Sequence, residues 1–162
     1  MANGQKNLVN AIATKLRADT GVGSLVTLTG HDVTDANEYR IGRDMPAKKA
    51  MKPYLGIKVF QSVPLSEDGP SHVQTARIHF RCYSTKELTS IQIADRIEHL
   101  LHGRTEQAVD GANLGYLDFS DSNISNRQTR WKSRDTQDYD DETEVWTTVV
   151  ESDVIWVDEA CS

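Results

Sequence analysis

Pro53-Tyr54-Leu55-Gly56-Ile57-Lys58-Val59-Phe60, Ser66-Glu67-Asp68-Gly69-Pro70-Ser71 and Val73-Gln74-Thr75-Ala76-Arg77-Ile78-His79-Phe80-Arg81-Cys82-Tyr83 make up the stretch that decides the fold. It reads as strand, polar turn and strand. In the second strand Ala76, Ile78, Phe80 and Cys82 alternate with Thr75, Arg77, His79 and Arg81. A period of two puts one face in a core and the other in water, as in an antiparallel sheet covered on one side. Ser84-Thr85-Lys86-Glu87 follows, with Ser84 and Glu87 at capping-box spacing. The helix it starts runs to Leu100-Leu101-His102-Gly103. Ser90, Ile93, Ala94, Ile97, Leu100 and Leu101 share one side of that helix, which is expected to cover the sheet. Leu88 and Ile91 lie off the stripe, near Asp95. They read either as partly buried under a loop or as a contact with another subunit.

Upstream, Leu8, Val9, Ile12 and Leu16 are spaced by three and four, the stripe of a helix docked on a core within residues 1–20. Gly21, in Thr20-Gly21-Val22-Gly23, suits a left-handed cap at its end. Leu25, Val26 and Leu28 pack or start a short strand. Residues 30–50 are polar, show no period, and read as a long loop, a feature that tends to be functional or disordered.

Downstream of Gly103 the chain turns strand-rich, over residues 114–157. Strands are expected at Leu114–Phe119, Ser122–Arg134 and Glu142–Val157, with Asp135–Asp141 as a polar turn. At about 3.3 Å per residue the stretch from Val145 to Val157 would run about 43 Å. A compact chain of this size is about 40 Å across. The last strand must therefore span the domain, bend at Glu151-Ser152-Asp153, or project as a hairpin that a neighbour stabilises. The expected fold class is α+β: a mostly antiparallel sheet, two helices on one face, and a long projecting β-hairpin.

A chain of 162 residues is one domain on size alone. Its net charge of −6 argues against a dedicated nucleic-acid grip, which needs a basic face. The N-terminal residues carry no apolar signal core and no window reaches membrane-span length, so a soluble, non-secreted chain is expected, with no membrane partner. Cys82 reads as a small core residue, and Cys82 and Cys161 form no disulfide framework.

The chain carries few signatures of chemistry. Asp138, Asp140, Asp141, Glu142 and Glu144 lack the glycine and closing glutamate of a calcium loop and read as the solvated tip of a hairpin. Of the histidines His31, His72, His79, His99 and His102, only His99 and His102 share a helix. No second ligand pair accompanies them, and their place near a helix C-terminus accounts for them. No phosphate loop or nucleophile elbow is present. The expectation is no enzyme, no catalytic residue, no metal and no cofactor. Arg127, Arg130, Lys132 and Arg134 cluster around Trp131. They suit a solvated strand face, a subunit interface, or phosphate contact with base stacking.

In the order of its elements the chain resembles the tail terminator (tail completion) proteins of long-tailed bacteriophages. The residues that carry the likeness are Pro53-Tyr54-Leu55-Gly56-Ile57, the strand Ala76 to Ser84, the double leucine Leu100-Leu101, and Trp146-Thr147-Thr148-Val149-Val150. The resemblance implies a non-catalytic homo-oligomer, a hexameric ring that ends tail tube polymerisation and presents the head-joining surface. Implied partners are the tail tube protein, a head-completion, stopper or adaptor protein, and double-stranded DNA in transient passage. Implied locations are the head–tail junction of the virion and, during assembly, the host cytoplasm. A stopper protein of the neck is the near alternative; a nucleic-acid-binding module using Trp131, or a metal-dependent hydrolase using the acidic run, lies further off. Within the ring reading, Arg77, His79, Arg81, Leu88, Ile91, Arg127, Arg130, Trp131, Lys132 and Arg134 are the candidate contacts with neighbours. Asp138, Asp140, Asp141, Glu142 and Glu144 are the candidate acidic lining that repels DNA.

Overall fold

A computed structural model describes residues 2–26, 40–44, 53–64, 73–102, 119–120, 124–135 and 138–158. Three helices and six strands follow in chain order: α1 (Ala2–Ala18), α2 (Thr20–Val26), β1 (Ile41–Arg43), β2 (Tyr54–Pro64), β3 (Val73–Ser84), α3 (Glu87–His102), β4 (Ile124–Arg134), β5 (Asp138–Asp140) and β6 (Val145–Asp158). The strands form one sheet in the order β1-β2-β3-β6-β4, with β5 also paired to β6. Every pairing is antiparallel except β1 with β2. The α+β class and the helix-covered sheet agree with the reading of the sequence.

The alternation in β3 becomes its burial. Gln74, Ala76, Ile78, Phe80, Cys82 and Ser84 are buried, while Arg77 is exposed and His79 and Arg81 are half-buried. β6 repeats the pattern with Thr148, Val150, Ser152, Val154 and Trp156 buried. The two strands pair without a break from Val73↔Val157 to Ser84↔Trp146, so their buried faces coincide. α3 lies across β3 and β6, α1 across β1 and β2, and α2 packs against both helices. Leu8, Ile12 and Leu16 meet Ile93, Ile97 and Leu101 over Ile57, Ile78, Phe80 and Val154 in one core. Cys82 sits in this core, and burial pushes its thiol well above the ordinary range. Ser90 and Thr148 share a buried hydrogen bond of 3.0 Å where α3 meets β6.

Several expectations change. The final strand does not project. β6 is an interior strand, held by β3 on one side and by β4 and β5 on the other. Of the three options for its length, it spans the domain, because β3 is nearly as long and pairs with it throughout. Residues 41–43, expected as loop, form β1, where Ile41 and Gly42 are buried. The turn before β6 is Asp141–Glu144, and Asp138–Asp140 ahead of it form β5. Glu144 closes it at φ 54°. Ser84 ends β3, and its hydroxyl accepts the Lys86 N–H at 3.1 Å, so it turns the chain just before α3 instead of capping it at capping-box range. The Ser66–Ser71 turn, Leu28, Leu114 to Asp118, and Cys161 lie outside the described residues, as do His31 and His72.

Gly21 does not end α1. Asp19 caps the N-terminus of α2, accepting the Val22 N–H at 2.9 Å. The same carboxylate takes two hydrogen bonds from Arg96 of α3, at 3.0 and 2.7 Å. A Cβ on Gly21 would stand 2.4 Å from Arg96 Nε, so glycine here makes room for the clamp. Burial pushes the Asp19 carboxyl up, but the Arg96 hydrogen bond, the Val22 N–H and the Arg96 charge outweigh it and hold it below its ordinary value of 3.8. A lowered carboxylate stabilises the fold above its unfolded value and loses that contribution as pH falls through the folded value. Asp19→Asn should therefore cost about 1.5–3 kcal/mol at neutral pH, the range for a charged hydrogen bond. In urea titrations at stepped pH, the gap between wild type and variant should close below pH 3.8.

Candidate functional site

The face of the sheet away from the helices carries a cross-strand charge network. Arg77 and His79 of β3 lie opposite Asp153 and Glu151 of β6. Glu151 Oε1 is 3.3 Å from Arg77 Nε and 3.1 Å from His79 Nε2, and its Oε2 accepts the Ser133 hydroxyl at 3.0 Å. Asp153 draws Arg77 and Lys132, each at 3.8 Å. Burial pushes the Glu151 carboxyl up; His79, Ser133 and Arg77 together bring it below its ordinary value. On the β2 side, the Phe60 ring lies 4.4 Å from the His79 ring, and Lys58 Nζ stands 4.8 Å over Phe60.

Arg81 is held differently. Asp44, just past β1, accepts Arg81 Nη1 at 3.1 Å on one oxygen and the Tyr83 hydroxyl at 2.8 Å on the other. Its backbone N–H bonds Ile57 O at 3.0 Å. The Asp44 side chain lies flat over Gly56, where a Cβ would sit 2.6 Å from its oxygen and 3.1 Å from its Cα. Tyr54 stacks on Tyr83 with centroids 6.4 Å apart, and with Val145 they form a small second core. Burial and the Asp44 carboxylate push the Tyr83 hydroxyl up to about 12.

The candidate contact residues thus fall in several places. Arg77, His79, Arg81 and Lys132 share the open face, engaged with acids of their own chain. Arg134 is on the helix side, bound to Glu98 at 2.8 Å and Asp95 at 2.6 Å of α3. In the backbone register of β4, Arg130 stands opposite Asp153 and Trp131 opposite Ser152, while Arg127 and Lys132 fall at its two register irregularities. Leu88 is 64% exposed on α3 and Ile91 is half-buried. Asp138, Asp140, Asp141, Glu142 and Glu144 are all exposed around the β5–β6 turn, where Asp140 accepts the Glu142 N–H at 2.9 Å. The Tyr139 ring of β5 lies 4.6 Å from that of Trp146 on β6. Among the described residues, no three His, Cys, Asp or Glu side chains converge as a metal site would require.

The sequence reading missed Asp44, Glu151 and Asp153. Glu151 and Asp153 carried a signal: they alternate at the same period as Arg77 and His79, on a strand of matching length. Asp44 carried none, because its role depends on β1 lying beside Gly56.

No protein-family model matches the sequence, nor does any curated protein. The fold does have a solved counterpart. A chain of the virion of a native gene transfer agent particle superposes with a TM-score of 0.54 and 8% sequence identity, covering 93% of this chain and 94% of that one. The likeness takes in nearly the whole of both chains, and at this identity it is a likeness of fold.

Glu151 is the hub of the open-face network, so Glu151→Gln should lower stability by about 1 kcal/mol at low salt, the upper end for partly exposed ion pairs. Thermal melts should show the deficit shrinking as salt rises toward about 1 M, where the screening length is about 3 Å. Equal melts at low salt would mean that the network carries no net stabilisation.

Proposed function

We propose that this chain is a structural virion protein that assembles as a ring at the head-proximal end of a phage tail. In this reading the ring, a hexamer, ends polymerisation of the tail tube and offers the surface that joins the DNA-filled head. The observation that carries the reading is the end-to-end likeness of fold to a chain of a virion particle. The terminator role rests on the resemblance in element order and on the residues quoted for it. Catalysis has no part in it.

The physical features support such a role. The core and the two helical clamps make a self-contained scaffold, so assembly need not remodel it. Leu88 is an exposed apolar side chain on α3, and in this reading it packs against a neighbouring copy. Six copies at −6 each total about −36. Like charge repels the phosphates of DNA, so an acidic bore lets DNA slide without sticking. In this reading the exposed acids Asp138, Asp140, Asp141, Glu142 and Glu144 either line that bore or meet a neighbour.

Light scattering of the purified chain, with negative-stain images of the same sample, tests the ring. The expected result is closed rings, or a monomer that becomes a ring on added tail tube subunits. A chain that stays monomeric with tube subunits present, and does not bind them, contradicts the reading. Co-purification with portal or adaptor subunits instead of tube subunits moves the role to the stopper of the neck.

A further inference from the structure

Among the described residues, one strand lane of the sheet is only partly filled. There β1 pairs with β2 over Leu55 to Ile57, and β2 runs on to Pro64. Beside that lane, α1 and β2 enclose an open groove of about 550 Å³. Lys6 and Asn10 of α1, Arg43 of β1 and Lys58 of β2 rim it, with Val9 and Val59 as apolar lining. Lys6, Arg43 and Lys58 are exposed, and no carboxylate of the described residues pairs with any of them. The groove's own acid, Asp44, is already engaged by Arg81 and Tyr83.

The β5–β6 turn has the complementary character. Asp138, Asp141 and Glu142 are exposed and none makes an ion pair with the described residues. Beside them Tyr139, 41% exposed, lies tilted against Trp146 with centroids 4.6 Å apart, an exposed aromatic ring next to the acidic turn. β1 and β5 lie on opposite edges of the sheet, four strand spacings apart in the order β1-β2-β3-β6-β5. At about 4.8 Å per spacing that is about 19 Å across one chain.

We propose that the acidic β5–β6 turn of one copy docks in the Lys6–Arg43–Lys58 groove of a second copy. The opposite charges match, and the apolar lining suits the exposed Tyr139 ring. Because the two surfaces sit on opposite edges, the contact is head-to-tail, the type that closes into rings. The inference rests on the proposed ring only in taking the occupant to be another copy of this chain. It assigns the acids to a subunit contact, not to the bore.

Sedimentation equilibrium of the full chain tests it with two charge-reversed variants, Lys6→Glu/Arg43→Glu/Lys58→Glu and Asp138→Lys/Asp141→Lys/Glu142→Lys. All six side chains are exposed, and circular dichroism reports whether each variant keeps its fold. Each variant alone should self-associate at least about tenfold more weakly than wild type. An equimolar mixture of the two should recover association, as should a chain carrying all six changes, since complementarity is restored with reversed sign. If a triple variant loses its fold, Lys6→Glu and Asp141→Lys are compared alone and mixed in the same way. Rings that persist unchanged in the charge-reversed variants overturn the docking and leave the ring reading intact. A wild type that stays monomeric to about 1 mM at low salt, the weak end of specific binding, also overturns the docking. Tail tube binding then decides the ring reading separately.

Discussion

Twelve consecutive residue pairs join β3 to β6, and the rest of the molecule depends on that register. Side chains alternate across a strand, so a slip of one residue would send every buried side chain to the other face. In the observed register, Ala76, Ile78 and Phe80 lie beside Val154, Ser152 and Val150 under the helices. The same register brings Arg77 and His79 beside Asp153 and Glu151 on the outside. Apolar burial on one face and opposite charge on the other therefore select one alignment. The apolar face carries most of the energy, at about 25 cal/mol per Å² buried, while the partly exposed pairs add little each. The charges serve chiefly to favour this alignment, because a slip of one residue would take Arg77 and His79 away from Asp153 and Glu151.

The helices are fastened to this pair at chosen points. Arg96 reaches the α1–α2 corner through Asp19, and Arg134 reaches α3 through Asp95 and Glu98. Arg17 of α1 donates to the carbonyl of Ile41 at 3.0 and 2.6 Å, fixing β1 beneath the helix. β1 in turn presents Asp44 over Gly56. Each clamp joins elements distant in sequence through a charged or carbonyl acceptor. The result is a scaffold whose unsatisfied surfaces lie at its edges: the groove beside β2 and the acidic turn beyond β5.

Much of the fold could be read from residues. The β2–β3–α3 unit, the α1 stripe and the core place of Cys82 all follow from periods of two and 3.6, which local burial imposes directly. Other features depended on partners far away in the chain. Gly21 looked like a helix cap because a glycine after a helix usually is one; its reason is the Arg96 side chain, 75 residues on. Ile41-Gly42-Arg43 is too short to show a period, and only the parallel edge of β2 makes it a strand. The long last strand invited a projecting hairpin because the sequence does not say that β3 lies along it. The candidate contacts were gathered by charge and proximity in sequence. The register irregularity between Trp131 and Ser133 then separates residues that strict alternation would keep on one face, with Lys132 on the open face and Arg134 against α3.

The central claim is that β3 and β6 form a self-sufficient core and that association engages only the edges. Amide hydrogen exchange on the wild-type chain, at a low and a high protein concentration, tests it most directly. The account predicts that amides of Val73–Ser84 and Val145–Asp158 are the slowest at both concentrations. Added protection at high concentration should be confined to the β2 edge near Lys58 and the turn at Asp138–Glu144. Fast exchange along Val145–Asp158 in the dilute chain, slowed only on association, would contradict it. That result would make β6 a ribbon that needs its neighbour in order to fold.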